Sequence, residues 1–245
     1  MDKKINFLGI PLDTLTMEET IEKVNNAILL KKQIHHCVIN AGKVVQMQSD
    51  KILKKSVINS DLINADGMGV VWAVRFLGFK ITERVTGIDL MENLVELSHK
   101  KKYKCFFLGA KQDVVEKIVD DYSKKYSYDI IAGYRNGYFN ENDELKIIEK
   151  IKSSGANILF VAITSPKKEI FLNKFKEELC NINFIMGVGG SFDVISGKIK
   201  RAPVLMQKIG FEWLFRCVQE PKRMWKRYLI GNFKFICLIL KNKFF

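Results

Sequence analysis

The sequence lacks several signatures by which enzymes and exported proteins are recognised. Its five cysteines are odd in number, scattered and without a C-x-x-C pair, so neither a disulfide framework nor a zinc site is indicated and reduced thiols are expected. The three histidines, His35, His36 and His99, have no metal-ligand spacing and receive no chemical role. Neither a G-x-G-x-x-G fingerprint nor a G-x-x-x-x-G-K-[ST] loop is present, so the dinucleotide and P-loop classes are not indicated.

Long apolar runs are also missing. The first run, Ile5–Ile10, is too short for the hydrophobic region of a signal peptide. The run over residues 229–240 is interrupted by Asn232 and Lys234 and falls short of the ~20 residues that a spanning helix needs. We therefore expect a protein that is not exported and that lies on a membrane rather than crossing it.

Acidic residues are scarce in one part of the chain only. Residues 196–245 contain 12 Lys and Arg against 2 Asp and Glu, and so carry +10 of the net charge of +13. Such a local surplus implies a polyanionic partner: nucleic acid, anionic lipid headgroups or a diphosphate-bearing substrate. With 245 residues and 47% hydrophobic content, the chain is long enough for one globular unit with an appendage.

Short apolar runs of β type alternate with longer amphipathic segments along the chain. This alternation predicts an α/β fold, with a Rossmann-like, largely parallel sheet flanked by helices, over residues 1–195. Residues 196–245 are predicted to form a helical, basic C-terminal appendage. The predicted strands are Ile5–Ile10, His36–Asn40, Leu62–Ala65, Lys104–Leu108, Asp129–Gly133, Asn157–Ile163 and Asn183–Val188.

The appendage is predicted to contain two helices separated at Pro221, because the residue before a proline disfavours helical geometry. In the second helix, at 100° per residue, four cations fall within about 60° of Arg223, and the aromatic and aliphatic residues cluster opposite. Such a helix either lies in a membrane interface or docks on its own catalytic body and presents its cations outward. The apolar surface also favours self-association into a homo-oligomer.

Ligands of open α/β sheets bind beyond the carboxyl ends of the strands, so the residues that follow each apolar run are the candidates for a site. Many of them are small, which lets backbone N–H groups and helix N-termini approach a phosphate. These segments are 40–42, 66–69, 109–111, 165–169 and 187–193.

An ordered set of short motifs covers nearly the whole chain. It begins with Asn64–Gly69 and Glu83–Leu90 and continues through Ser165-Pro166-Lys167 with Glu169, Gly187–Gly190 with Asp193, Arg201-Ala202-Pro203, Glu212-Trp213 and Glu220–Arg223. In this order the motifs resemble the WecG/TagA/CpsF family of bacterial glycosyltransferases. The single pieces are common strings, but the ordered set is specific.

The resemblance implies an inverting, metal-independent glycosyltransferase. Such an enzyme moves a sugar, in the first place N-acetylmannosamine, from a UDP-sugar to a polyprenyl-diphosphate-linked sugar similar to GlcNAc, in the synthesis of cell-surface polysaccharide or teichoic acid. No cofactor is implied, and the sequence contains no D-x-D metal-binding triplet. Arg, Lys and backbone amides would then balance the charge of the departing UDP.

Three residues are implied at the catalytic centre. Asp66 corresponds to the general base, although an Asp before Gly at a strand end also caps the next helix. Arg84 corresponds to a phosphate or acceptor ligand, or else pairs with Glu83 or with a helix-terminal carboxylate. Asn40 corresponds to an amide that orients donor or acceptor, or else simply forms a turn.

The resemblance implies two further sets of contacts. Gly109, Tyr138, Lys168, Gly189 and Asp193 would bind the UDP-sugar. The alternatives are a buried tyrosine, a solvated lysine and a capping aspartate. Arg216, Arg223 and Arg227 would bind the acceptor diphosphate, or else form a solvated charged face.

Two positions depart from the family pattern. Val38 replaces a Thr, and Lys168 replaces a Gln. Because both belong to the presumed donor site, they leave open a different donor, UDP-glucose or a UDP-uronic acid.

The implied location is cytoplasmic, peripheral on the inner face of the plasma membrane, with an anionic membrane surface as partner. Two rival interpretations remain, a nucleic-acid-binding protein and a non-catalytic basic membrane scaffold. The first is disfavoured because the body shows no nucleic-acid motif and the appendage has an apolar face that suits lipid or protein.

Overall fold

The computed structural model describes residues 3–244, except for the side chains of Arg223, Lys226 and Arg227. Its centre is a six-stranded parallel sheet, accompanied by a separate antiparallel hairpin. The hairpin consists of β1 (Lys4–Phe7) and β2 (Ile10–Asp13), and the sheet of β3 (Ile34–Ile39), β4 (Leu62–Ala65), β5 (Cys105–Gly109), β6 (Ile131–Arg135), β7 (Ile158–Ala162) and β8 (Phe184–Gly187). The strand order is β4-β3-β8-β7-β5-β6, which confirms the predicted fold class.

Helices connect the strands and cover both faces of the sheet. The helices that begin before residue 110 are α1 (Met17–Leu29), α2 (Ala41–Gln46), α3 (Lys51–Ile58), α4 (Met68–Phe76) and α5 (Gly87–Lys101). They are followed by α6 (Gln112–Lys125), α7 (Glu141–Lys152), α8 (Lys167–Lys174), α9 (Ser191–Ile195), α10 (Val204–Lys208), α11 (Glu212–Gln219) and α12 (Pro221–Phe244). A capping box between Thr16 and Glu19 begins α1.

One predicted strand differs from the structure. The run Ile5–Ile10 forms no strand of the central sheet but is divided between the two strands of the hairpin. Leu8 and Gly9 make the turn with φ of +55° and +79°, and Gly9 adopts this left-handed conformation without a Cβ penalty. The run is therefore interrupted by a conformation that its apolar pattern does not reveal.

Side chains alternate between the two faces of the sheet, as the period of a strand requires. On β5, Phe107 lies in the core cluster formed with α1, α5 and α6, while Phe106 lies in the opposite cluster formed with α7 and α8. A third cluster joins the hairpin to α2, α3, α4 and α12. The carboxyl ends of the parallel strands meet at one edge between these layers.

The helices α11 and α12 are separated at Pro221, as predicted, but the short α10 is a further helix in a segment that was predicted to contain two. The helix α12 packs against α2. The apolar side of α12 has two parts. Met224, Phe235 and Ile239 are buried, whereas Trp225, Leu229, Ile236 and Leu240 are exposed. The helix therefore docks on the body with one strip and leaves another strip open. Among the described residues, no helix is both long enough and apolar enough to cross a membrane. The division of the chain at residue 195 stays a prediction.

The buried strip of α12 predicts a large loss of stability when Phe235 is truncated. Phe235→Ala is expected to lower the free energy of unfolding by about 3 kcal/mol, because it leaves a cavity in the core. Phe233→Ala, on the same helix but 69% exposed, should change it by less than about 0.5 kcal/mol. Urea denaturation of both variants measures the difference, and equal effects would contradict the docked position of α12.

Candidate functional site

The structure brings Asn40 and Asp66 together at the carboxyl edge of the sheet. Strands β3 and β4 pair in parallel with Ile39 opposite Ala65, so the two residues that follow these strands are neighbours. The Asp66 N–H donates to the Ile39 carbonyl at 2.9 Å. The two side chains that the sequence places after separate apolar runs therefore share one corner of the site.

The carboxylate of Asp66 does not cap the helix that follows it. Gly67 is the N-cap of α4 and makes no side-chain cap bond, so that alternative is wrong. Instead, Asp66 Oδ1 accepts a hydrogen bond of 2.9 Å from the N–H of Gly87, the first residue of α5. This bond fixes the carboxylate at the positive end of a helix, and Oδ2 accepts no hydrogen bond from the described residues. A carboxylate held by one oxygen can take a proton with the other.

Asn40 is the N-cap of α2. Its Oδ1 accepts the Lys43 N–H at 3.0 Å, which is a helix-capping role rather than a simple turn. The cap uses the oxygen and leaves the two donors of the side-chain amide for other partners.

A buried cluster of three charged side chains lies where β3 and β8 end. The Lys43 Nζ is 2.7 Å from Glu169 Oε1, and the Lys168 Nζ is 3.4 Å from the same oxygen. Lys43 also donates to the Val38 carbonyl at 2.7 Å, a backbone contact that is indifferent to the side chain at position 38. Lys168 is only 6% exposed, so its interpretation as a solvated lysine is wrong.

Glycines make room for Lys168. A Cβ on Gly187 would lie 2.6 Å from Lys168 Cδ, so the lysine stem runs directly over this glycine. A Cβ on Gly189 would lie 3.6 Å from Lys168 Nζ. The ammonium group therefore points toward the loop after β8, and the structure brings the predicted donor residues Lys168 and Gly189 together.

Electrostatics keep this cluster charged. Burial raises the pKa of Glu169, but Lys43 and Lys168 more than compensate and bring the pKa of Glu169 down to about 2. Burial and the neighbouring Lys43 lower the pKa of Lys168. Two lysines thus share one carboxylate, and an anionic ligand near Gly189 would meet a positive field.

Gly109, at the end of β5, lies close to Gly137, the residue before Tyr138. Gly109 has a φ of +130°, and a Cβ there would lie 2.5 Å from the Ala162 carbonyl oxygen. Gly137, next to Tyr138, sits so close that its own Cβ would be 2.9 Å from the Gly109 Cα. Tyr138 is 68% exposed, so the alternative of a buried tyrosine is wrong and its ring is accessible for stacking.

Asp193 lies within α9, where Gly190 rather than Asp193 is the N-cap. Its carboxylate is 4.0 Å from the Lys198 Nζ. The capping alternative is therefore wrong for this helix.

Arg84 and Arg216 meet at one carboxylate. The Arg84 Nη1 is 3.2 Å from Glu212 Oε2, and the Arg216 Nη2 is 3.7 Å from Glu212 Oε1. Glu83 instead accepts the Met17 N–H at 2.7 Å, so the proposed Arg84–Glu83 pair is wrong, while the helix-terminal carboxylate is Glu212. The predicted diphosphate ligands Arg223 and Arg227 lie outside the described side chains.

The sequence assigned no role to five charged residues that the structure places in this region: Lys43, Asp89, Glu169, Arg201 and Glu212. All except Lys43 stood within the motifs, but nothing in their spacing indicated a partner. Lys43 occurs three residues after Asn40, a spacing that fits an ordinary helix. Their pairings join segments distant in sequence, and only the fold reveals them.

The fold and this edge define an α/β protein with a fixed carboxylate, Asp66, at the carboxyl edge of a parallel sheet, and with paired arginine and lysine side chains among the residues that follow the strands. The comparisons with known proteins are more specific. The model of the glycosyl transferase WecG/TagA/CpsF family matches residues 5–245. The chain therefore belongs to this family and is a glycosyltransferase.

Two curated relatives are similar over most of the chain. Both are described as N-acetylglucosaminyldiphosphoundecaprenol N-acetyl-beta-D-mannosaminyltransferase. The protein from Bacillus subtilis is 36% identical over 185 residues, which cover 76% of this chain and 70% of the relative. The protein from Bacillus spizizenii is 33% identical over 185 residues, which likewise cover 76% of this chain and 70% of the relative.

The buried cluster predicts a pH-dependent contribution of Glu169 to stability. At pH 7, Glu169→Gln is expected to lower the free energy of unfolding by about 3 kcal/mol, because two buried lysines lose their counter-charge. The lowered pKa of Glu169 means that its contribution is complete above about pH 4.5 and fades as the pH falls toward about 2.

Urea denaturation from pH 7 to acidic pH measures this difference. The exposed Glu177→Gln is the matched control and should change the free energy of unfolding by less than about 0.5 kcal/mol. A difference between wild type and Glu169→Gln that grew toward acidic pH would contradict the ion pair.

Proposed function

We propose that the protein transfers N-acetylmannosamine from a UDP-sugar to a polyprenyl-diphosphate-linked GlcNAc, with inversion and without a metal ion. The observation that carries the proposal is Asp66, whose carboxylate is held by the Gly87 N–H at the carboxyl edge of the sheet, next to Asn40. The descriptions of the two Bacillus relatives support both the sugar and the acceptor.

Asp66 acts as the general base in this proposal. It takes the proton from the attacking hydroxyl of the acceptor sugar while that oxygen forms a bond to the anomeric carbon of the donor. The bond between the anomeric carbon and the UDP oxygen breaks on the opposite face, so the configuration inverts. Asn40, whose side-chain nitrogen is not used by the α2 cap, orients the donor or the acceptor at the same corner.

The departing UDP carries the negative charge that the enzyme must stabilise. Lys168 supplies a buried cation beside Gly189, and the glycines at this edge let the diphosphate approach the backbone. The exposed ring of Tyr138, next to Gly109, offers a face for stacking. Asp193 accepts hydrogen bonds from sugar or base hydroxyls.

The acceptor would enter from the side of residues 196–245. Arg84 and Arg216, together with Arg223 and Arg227, bind its diphosphate in this proposal. In this proposal, the exposed apolar strip of α12 and the basic residues of the helix bind the anionic bilayer that holds the polyprenyl chain, at the inner face of the plasma membrane. Residues 1–195 then form the catalytic domain, and residues 196–245 form the appendage that covers the site.

The donor is identified by a binding and transfer screen. We expect UDP-N-acetylmannosamine to raise the melting temperature and to be transferred to a lipid-diphosphate GlcNAc, with the same rate in the presence of EDTA. UDP-glucose and UDP-uronic acids are the comparison donors, because a cationic Lys168 would favour the carboxylate of a uronic acid over an uncharged sugar. Stabilisation by none of these nucleotides would count against the transferase, and inhibition by EDTA would refute the metal-independent step.

Asp66→Asn tests the base. It is expected to lower kcat by about 10²- to 10⁴-fold while the donor still binds, because an amide retains the shape but cannot accept the proton. Asp120→Asn, an exposed carboxylate on α6 that pairs with Lys124, is the matched control and should leave kcat unchanged. A loss of about tenfold or less in Asp66→Asn would remove the role of base but not the transferase assignment.

A further inference from the structure

Glu212, the first residue of α11, lies between two arginines that come from different parts of the chain. One carboxylate oxygen faces Arg84, in the segment before α5, and the other faces Arg216, one turn further along α11. All three side chains are at most 30% exposed. The contact therefore crosses from the catalytic body to residues 196–245 in a partly buried environment.

Two guanidinium groups at this distance from one carboxylate would repel each other without it, and partial burial strengthens that repulsion. A guanidinium carries five N–H donors. Arg84 donates to Glu212 from Nη1 only, so its other donors remain for a second anion. The carboxylate thus brings two cations together without using up their hydrogen-bonding capacity.

A second ion pair has the opposite arrangement of charges, with the carboxylate on the catalytic body and the arginine in residues 196–245. The Arg201 Nη1 is 2.6 Å from Asp89 Oδ1, and the Thr86 hydroxyl donates to Asp89 Oδ2 at 2.5 Å. In these two pairs, the catalytic body supplies Arg84 and Asp89, and residues 196–245 supply Glu212 and Arg201. Arg201 also has two buried nitrogens, Nε and Nη2, without an acceptor among the described residues.

These two ion pairs join Arg201 and Glu212 to the turn that holds the base. Thr86 is the N-cap of α5, and the N–H of the next residue, Gly87, binds Asp66. The arginine pair is consequently held at a set position relative to the carboxylate of Asp66.

We infer that Glu212 is a positioning residue that holds Arg84 and Arg216 side by side, so that their remaining N–H groups form a two-arginine site for a diphosphate. The inference rests on the proposed function and deepens it, since it assigns the assembly of the acceptor site to a residue that does not itself touch the diphosphate. If the Glu212 carboxylate instead occupied the diphosphate site and competed with the substrate, removing its charge would strengthen diphosphate binding rather than weaken it.

Direct binding tests the inference without any transfer reaction. Calorimetry on the full chain measures the affinity for inorganic pyrophosphate and for farnesyl diphosphate. Wild type is expected to bind both, and Glu212→Gln to bind both about tenfold more weakly, a loss of about 1.4 kcal/mol. Glu83→Gln is the matched control, because Glu83 precedes Arg84 in sequence but bonds the Met17 N–H, and it should keep the wild-type affinity.

Kinetics separate positioning from a general structural role. Glu212→Gln should raise KM for the lipid acceptor about tenfold while KM for the donor and kcat stay near their wild-type values. In Arg84→Gln, the further change Glu212→Gln should cost less than it does in wild type, since part of its effect passes through Arg84.

The results that would refute the positioning role of Glu212 differ from those that would refute the proposed transfer reaction. Unchanged or tighter pyrophosphate binding by Glu212→Gln refutes the positioning role. Failure of wild type to bind pyrophosphate and farnesyl diphosphate refutes the two-arginine site, while the UDP-sugar transfer assay decides the enzyme separately. If Glu212→Gln does not fold, Glu212→Asp, which keeps the charge but shortens its reach, must lose affinity several-fold or the inference fails.

Discussion

The buried ion pair between Lys43 and Glu169 joins α2 to α8 at the point where β3 and β8 end. Such a pair is costly to desolvate, and it persists because Lys43 also donates to the Val38 carbonyl and so finds a second acceptor for its ammonium. Asn40 caps α2, and α12 packs against the same short helix. Removing the pair would therefore disturb both Asn40, next to Asp66, and the surface of α2 on which α12 packs.

The same edge shows how the protein arranges charge for group transfer. Lys168 is buried and pairs with Glu169, the carboxylate that it shares with Lys43, and Arg84 pairs with Glu212. The positions of these cations are therefore restrained, unlike those of exposed lysine and arginine side chains. Fixed groups need little reorganisation when charge develops on a leaving diphosphate. The base obeys the same rule, since a backbone N–H at the start of α5 orients Asp66.

Local sequence signals were sufficient for most of the elements and for the positions of Asn40 and Asp66 after two strands, but not for the hairpin of β1 and β2. The strand β4 and the break at Pro221 each depend on neighbouring residues, and the structure agrees with both. The burial of Lys168 was not predictable, because it depends on a glycine in β8 and on a carboxylate that must also satisfy Lys43. The two strips of α12 differ in whether the rest of the fold covers them, and a helical period cannot show that.

The position of α12 also bears on how the chain reaches its native state. Phe7 and Phe235 belong to one core cluster although almost the whole sequence separates them. Contacts of such long range form slowly, and residues near the N-terminus leave the ribosome first. Until α12 is synthesised, the apolar surface of the nascent hairpin and of α2 stays uncovered, and during that interval the chain is exposed to aggregation.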